Sequence, residues 1–356
     1  MVLAYAIGCL LGLTGIIPST DEAHATQTLV ATITIPLAIP LMLFSADIKA
    51  WMHLAPMFLK SLLMGILACV GAALVSYAFC CKDYNELYAN ICGMLTGLYT
   101  GGNANLASLK VALNVSDEDY LLINTYDMAA SAIYLIFVIF FGQKVLQYLL
   151  PRFKGDKDKV STENITTEDY SSQLFMGLFR TDNLKDLLLS ILLTLAVVGV
   201  GAGVAMLFPS DMFQSIFILA ISTFAVLASL NKRVKSLKRT FEAGIYFILV
   251  FSIAVSSQMN LSMFSNPDPT LLKLTFLMTF LVLIFHVVLN ALLRIDVDTT
   301  LTTSISLICS PPFVPVISSV LGNKAVIGPG IVVGLCGYTI GTYLGFGVAM
   351  LLQWIG

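Results

Sequence analysis

The sequence predicts an all-α polytopic membrane protein made of two inverted repeats, each containing a broken helix or re-entrant hairpin. Three observations predict it. Of 356 residues, 58% are hydrophobic and only 11% charged, whereas a soluble domain carries about 25% charged residues to cover its surface. Mean hydropathy is +0.89, and charge-free stretches recur at the roughly 20-residue length of a bilayer crossing. Finally, one apolar stretch in each half is interrupted at its middle by residues that break helices.

The same figures exclude other classes. A disordered chain would be polar and charge-rich. A net charge of -2 supplies no basic field for nucleic acid. The seven cysteines (Cys9, Cys69, Cys80, Cys81, Cys92, Cys309 and Cys336) form no C-x-x-C pair and read as small buried hydrophobes. His24, His53 and His286 are far apart, so neither a metal centre nor a cofactor is expected.

Charge-poor apolar runs place spans at 2–18, 28–46, 57–80, 119–143, 186–208, 211–230, 243–264, 270–293 and 327–355. Segments 89–115 and 300–323 differ. The first is broken by Tyr99-Thr100-Gly101-Gly102-Asn103, the second by Ser310-Pro311-Pro312-Phe313-Val314-Pro315. Proline removes a backbone donor and paired glycines loosen a helix. A broken backbone survives at membrane depth only where protein or a water-filled cavity satisfies it, so both segments belong inside the protein.

A polar stretch from about Arg152 to Asp186 reads as a solvated linker. It divides the chain into a first membrane repeat (1–150), a cytoplasmic linker (151–185) and a second membrane repeat (186–356). At an offset of 212 residues, Tyr126 aligns with Tyr338, Ser45 with Ser257 and span 5–18 with 217–230. Span 186–208 has no counterpart, and the symmetry expects a further N-terminal helix. If 89–115 and 300–323 are hairpins that do not cross, the cytoplasmic side gathers all the Lys and Arg except Lys82, Lys110 and Lys273. If both cross, Lys49, Lys60, Lys110, Lys273 and Lys324 all face outward. The hairpin arrangement is preferred; it inverts the halves, places 152–186 and 231–240 in the cytoplasm and leaves 19–27 outside.

Broken helices near the midplane of inverted repeats are the architecture of secondary transporters. Half-helix N-termini suit an anion, while unwound carbonyls and half-helix C-termini suit a cation. The candidate solute-binding residues are Thr100, Gly101, Gly102, Asn103 and Asn105 at the first break, with Ser310, Pro311, Pro312, Ser318, Ser319 and Tyr338 in the second half. Thr96, Tyr99, Ser108, Ser304 and Ser306 flank them. Gly334, Gly337, Gly341 and Gly345 have the spacing of helix-packing residues. Asp127 lies eight residues into span 119–143, with no other charge before Lys144. An intramembrane carboxylate is costly and faces the interior, where it pairs or binds an ion. Asp127, with Asn105 and Asn124, is the candidate site for a coupling ion, Na+ or H+. Asp47 is a weaker candidate, and His286 with Asn290 reads as a packing pair.

The segments GLYTGGNANLASLKVAL and INTYDMAASAIYL, and then CSPPFVPVISS and GLCGYTIGTYLG, resemble the YjcL-like family, domain of unknown function 819. That family is grouped with the cation:proton antiporter/anion transporter superfamily. The resemblance implies a mobile core carrying both broken elements, an elevator-type motion against a scaffold, and a homodimer formed through that scaffold. Family members begin with an extra apolar segment, and their first break reads closer to Gly-Gly-Ser-Ala-Asn; Asn103 departs from it here.

The expected function is secondary active transport of a small polar, anionic or zwitterionic organic solute coupled to Na+ or H+, by alternating access around the two breaks. The alternative is a passive channel or facilitator, although no ring-forming charge or carbonyl motif is present. An enzyme is not expected, since a protease would need a second deep carboxylate or a Ser/His pair. The expected partners are a small-molecule solute and the lipid bilayer, and the expected location is the bacterial cytoplasmic (inner) membrane.

Overall fold

The computed structural model describes residues 2–17, 20–44, 56–81, 85–155, 157, 181–210, 213–258 and 268–355. Most of the expected linker, along with Ser45, Asp47 and His53, lies outside the described residues. Among the described residues the fold is helical: α1 (Val2–Leu13), α2 (Asp21–Leu43), α3 (Pro56–Cys80), α4 (Glu86–Gly101), α5 (Asn103–Ala112) and α6 (Asp117–Phe137) in the first half. The second half has α7 (Thr181–Ala205), α8 (Phe213–Ser229), α9 (Thr240–Ser256), α10 (Pro269–Leu292), α11 (Val297–Ile308), α12 (Val314–Leu321) and α13 (Ile327–Ile355).

Among the described residues, six stretches are long and apolar enough to cross a membrane: Glu22–Leu43, Pro56–Cys80, Asp117–Leu146, Leu184–Ala205, Pro269–Leu292 and Ile327–Ile355. The last coincides with the expected span. Helices α8 and α9 have 17 residues each and α1 has 12, so at 1.5 Å per residue none of them reaches the ~30 Å hydrocarbon thickness. One expectation is corrected. The outside loop drawn at 19–27 is already helical from Asp21, because the Thr20 side chain accepts from the Ala23 N–H. Hydropathy could not see this start, since it is written in capping chemistry.

The chain forms two compact units, and each draws on both halves of the sequence. The first comprises 1–47, 107–125 and 175–269; the second comprises 48–106, 126–174 and 270–356. In the first unit, glycine sets how closely helices approach. A Cβ on Gly244 of α9 would press on the Ala38 carbonyl and Met42 of α2, and a Cβ on Gly8 of α1 would meet Ile253 and Ser256 of α9. Leu41, Leu187 and Ala243 form an apolar core beside them. At the other end, Gln27 Nε2 donates to Ser257 Oγ at 2.9 Å.

In the second unit, Phe58, Leu62, Leu307, Val326, Val333 and Cys336 form a core against which Phe153 packs. The expected packing pair also holds: Asn290 Nδ2 is 3.1 Å from His286 Nε2 and donates to Ser61 Oγ and Thr300 Oγ1. Phe79, Leu188, Leu192 and Phe140 each leave more than half their surface exposed, as lipid-facing side chains do.

Candidate site at two helix breaks

Helix α4 ends because Gly102 takes φ 76° and ψ -172°, a region essentially closed to residues with a Cβ. Its N–H still donates to Leu98 O at 2.6 Å. Helix α11 ends at Ser310, which takes φ 86° and ψ 158°. Pro311 disfavours helical backbone in the residue before it, and the chain turns there through nearly the conformation that glycine supplies at the first break. The two breaks touch. A Cβ on Gly102 would lie 2.5 Å from Ser310 Oγ and 3.6 Å from the Tyr338 ring.

Both broken helices are seated on α13 through its glycines. A Cβ on Gly337 would overlap the Thr100 carbonyl, and one on Gly341 would overlap the Asn105 amide. Further along, Gly93 faces Gly345 and Ala349, and Gln353 Nε2 donates to Asn90 Oδ1 at 2.7 Å. Helix α4 therefore runs antiparallel to α13. Helix α11 runs parallel to it, because Gly330 faces Thr302 and Gly334 faces Ser306 and Pro311. The C-terminal ends of α4 and α11 thus approach the same part of α13 from opposite directions. Each brings the partial negative charge of a helix terminus.

Beyond the breaks the chain turns back. Asn105, three residues past Gly102, donates through Nδ2 to Gly337 O at 3.2 Å and accepts through Oδ1 from Thr342 Oγ1 at 3.0 Å. In the second segment, Asn323 beyond α12 donates to Asp298 Oδ2 at the start of α11, at 2.8 Å. Residues 297–323 are therefore a closed hairpin. Asp298 also accepts from Gln143 Nε2 and pairs with Lys157 Nζ at 3.0 Å.

Asp127, 6% exposed, lies beside the first break. Its Oδ1 accepts from Tyr99 Oη at 2.8 Å and from Ser131 Oγ at 3.1 Å. Tyr99 Oη is also 2.7 Å from Thr279 Oγ1 of α10. Among the described residues no ion pair includes Asp127. One turn past Ser131, Tyr134 Oη lies 2.7 Å from Ser304 Oγ. The Cys309 thiol, next to the second break, is within Coulombic reach of Asp127.

The sequence-predicted residues divide as follows. Thr100, Gly101, Gly102, Ser310, Pro311 and Tyr338 gather at the touching breaks, and half-buried Asn103 opens α5. The Thr100 hydroxyl donates within its own helix to Thr96 O. Asn105 is buried with both ends of its amide engaged on α13, and among the described residues no hydrogen bond joins it to Asp127. Asn124 is buried on α6, three residues before Asp127. Ser318 and Ser319 do not join the breaks: Ser318 Oγ donates to Asn323 O at the far end of α12, and Ser319 is exposed. The Pro312 side chain lies outside the described residues.

Residues the sequence did not single out are Ser131, Tyr134, Thr279 and Asp298. For the first two a signal existed: 127, 131 and 134 share the one-face spacing of a helix. Thr302 and Thr303 of α11 are fully buried with hydroxyls that find no partner among the described residues. Such groups are costly in a dry interior and accumulate where water or a ligand enters.

Membrane-length apolar helices, together with a buried carboxylate beside two broken helices, define a polytopic integral membrane protein. The chain belongs to the family described as "Protein of unknown function (DUF819)", which matches residues 1–355. It is 23% identical over 350 residues to the uncharacterized membrane protein YjcL of Bacillus subtilis (strain 168), an alignment that covers 93% of this chain and 84% of that protein.

Proposed function

We propose that this chain is a secondary active transporter of a small polar organic solute, coupled to Na+ or H+. The observation that carries the reading is the meeting of the two breaks at Gly102 and Ser310 beside a buried carboxylate that has no basic partner among the described residues. A membrane protein tolerates neither feature without cause, since a charge at the bilayer centre costs at least roughly 2.5–3.5 kcal/mol. Asp127 is the ion-binding residue of this reading. Its neutralisation lets the surrounding elements move through a low-dielectric barrier. No Arg or Lys stands within either break, which favours a monovalent or zwitterionic solute over a multiply charged one.

The same reading treats the halves as inverted repeats, with an elevator-type motion of the broken elements, a homodimeric scaffold and a place in the bacterial inner membrane. Support for the repeats is the recurring order of elements: α1 to α6 match α8 to α13, with the break in the same place. The test begins with a thermal-shift screen of solutes in Na+ and in K+ buffer. Flux of the stabilising solute is then measured in proteoliposomes with and without an ion gradient. Gradient-dependent flux supports the transporter; identical flux in both conditions makes the protein a facilitator.

A further inference from the structure

Each hydroxyl has a single hydrogen to donate, and this constrains the chain of groups from Asp127 to α10. With Asp127 charged, Tyr99 donates to Asp127 Oδ1 at 2.8 Å. Its contact with Thr279, at 2.7 Å, is then made only if Thr279 donates. Thr279 must do so by giving up its bond to Thr275 O, at 2.8 Å. With Asp127 neutral, the carboxyl O–H can itself donate to Tyr99. Tyr99 is then free to donate to Thr279, and Thr279 to Thr275 O. The same atoms thus hold two hydrogen-bond arrangements, selected by the charge on one carboxylate.

Tyr99 is fully buried and lies in the last turn of α4, three residues before Gly102. In the charged arrangement, α4 is held to α6 by a charge-assisted bond, which is roughly twice as strong as a neutral one. Neutralisation removes that assistance from the turn in which the Gly102 N–H closes on Leu98 O. We propose that Tyr99 is the positioning residue that transmits the charge state of Asp127 to the first helix break. The proposal rests on the reading of Asp127 as the coupling site.

Among the described residues, few other groups can act on this carboxylate. Tyr99 faces it from α4, Tyr134 stands two turns along α6, and Cys309 lies beyond α11. Cys69 of α3 sits behind Tyr99, with its thiol donating to Tyr99 O at 3.3 Å. From α10 the facing group is Thr279, while His286, two turns further on, is engaged by Ser61. Among the described residues, no second carboxylate and no cation stands beside Asp127 to mask its change of charge.

The test uses the full chain in detergent and the proton as probe. Infrared difference spectra across a pH step follow the Asp127 carboxyl, identified by its absence in Asp127→Asn. Amide hydrogen exchange of peptides covering 96–106, corrected for intrinsic rates, follows the break. The expected result is that exchange quickens about fivefold on neutralisation, the effect of weakening one buried hydrogen bond. Tyr99→Phe should abolish this contrast while the carboxyl band still titrates. Thr279→Val keeps the Tyr99–Asp127 bond and should retain the contrast. A titrating carboxyl band with no change in exchange in the unmodified chain overturns the proposal and leaves Asp127 as the ion site. Full contrast in Tyr99→Phe overturns it equally. If no carboxyl band belongs to Asp127, the carboxylate stays charged, proton coupling through it fails and the proposal fails with it.

Discussion

Substituting Gly102 by alanine probes the contact between the two breaks. Two separate effects are expected. A Cβ at φ 76° enters a region that costs of order 1–3 kcal/mol. That Cβ would also stand 2.5 Å from Ser310 Oγ, whereas ordinary contact is about 3.5–4 Å; overpacking on this scale costs about 1–3 kcal/mol. Gly102→Ala should therefore destabilise by about 2–6 kcal/mol. Ser310→Gly removes the strained serine and the atom that the new methyl meets. The double variant should recover the overpacking part and keep the backbone part, so the two substitutions couple rather than add. Thermal unfolding in detergent at one fixed scan rate reads this directly, at about 2 °C per kcal/mol for a chain of this size. An unchanged midpoint for Gly102→Ala, or strict additivity in the double variant, would show that the breaks do not touch.

Asn105→Ala removes the bond that Gly337 O accepts beyond its own helix ladder and leaves the buried Thr342 hydroxyl without Asn105 Oδ1; losing two buried hydrogen bonds should lower stability by about 1–3 kcal/mol, measured as a fall in unfolding midpoint. Asp298→Ala opens the base of the second hairpin and should cost a similar amount by the same reasoning. Lys157→Ala should cost less than about 1 kcal/mol, since its side chain is 41% exposed; equal losses in the two variants would contradict the hairpin assignment. Finally, a cysteine placed at Lys235 in a chain freed of its seven native cysteines should react with an impermeant reagent only after the cells are opened. Labelling from outside would reverse the topology.

How much of this was legible in the sequence depends on the physics behind each feature. Helices α3, α10 and α13 were visible because a membrane span is written in composition alone. The breaks were visible because Gly101-Gly102 and Pro311-Pro312 act on the backbone locally, wherever the rest of the chain lies. Asp127 stood out because a carboxylate in an apolar run is rare. Ser131 was legible in principle, one turn from Asp127 on the same helix, but Tyr99 and Thr279 were not, since they come from two other helices and only tertiary packing brings their hydroxyls to Asp127 and to each other. Ser318 and Ser319 were grouped with the break by composition, yet the turn at Gly322 directs Ser318 to Asn323 instead. Asp298 escaped notice because, one residue into its helix, it looks like an ordinary first-turn acid. Only the return of Asn323 and the approach of Gln143 and Lys157 make it the tie of the hairpin.

Ion-coupled transport through Asp127 is tested by accumulation against a gradient. Proteoliposomes holding the unmodified chain or Asp127→Asn are given the solute found by thermal shift, under an inward Na+ or H+ gradient. The unmodified chain should concentrate the solute above its external level and lose that accumulation when the gradient is collapsed. Asp127→Asn should equilibrate the solute without concentrating it. Accumulation by Asp127→Asn equal to that of the unmodified chain would move the coupling ion away from this carboxylate and refute coupling through Asp127.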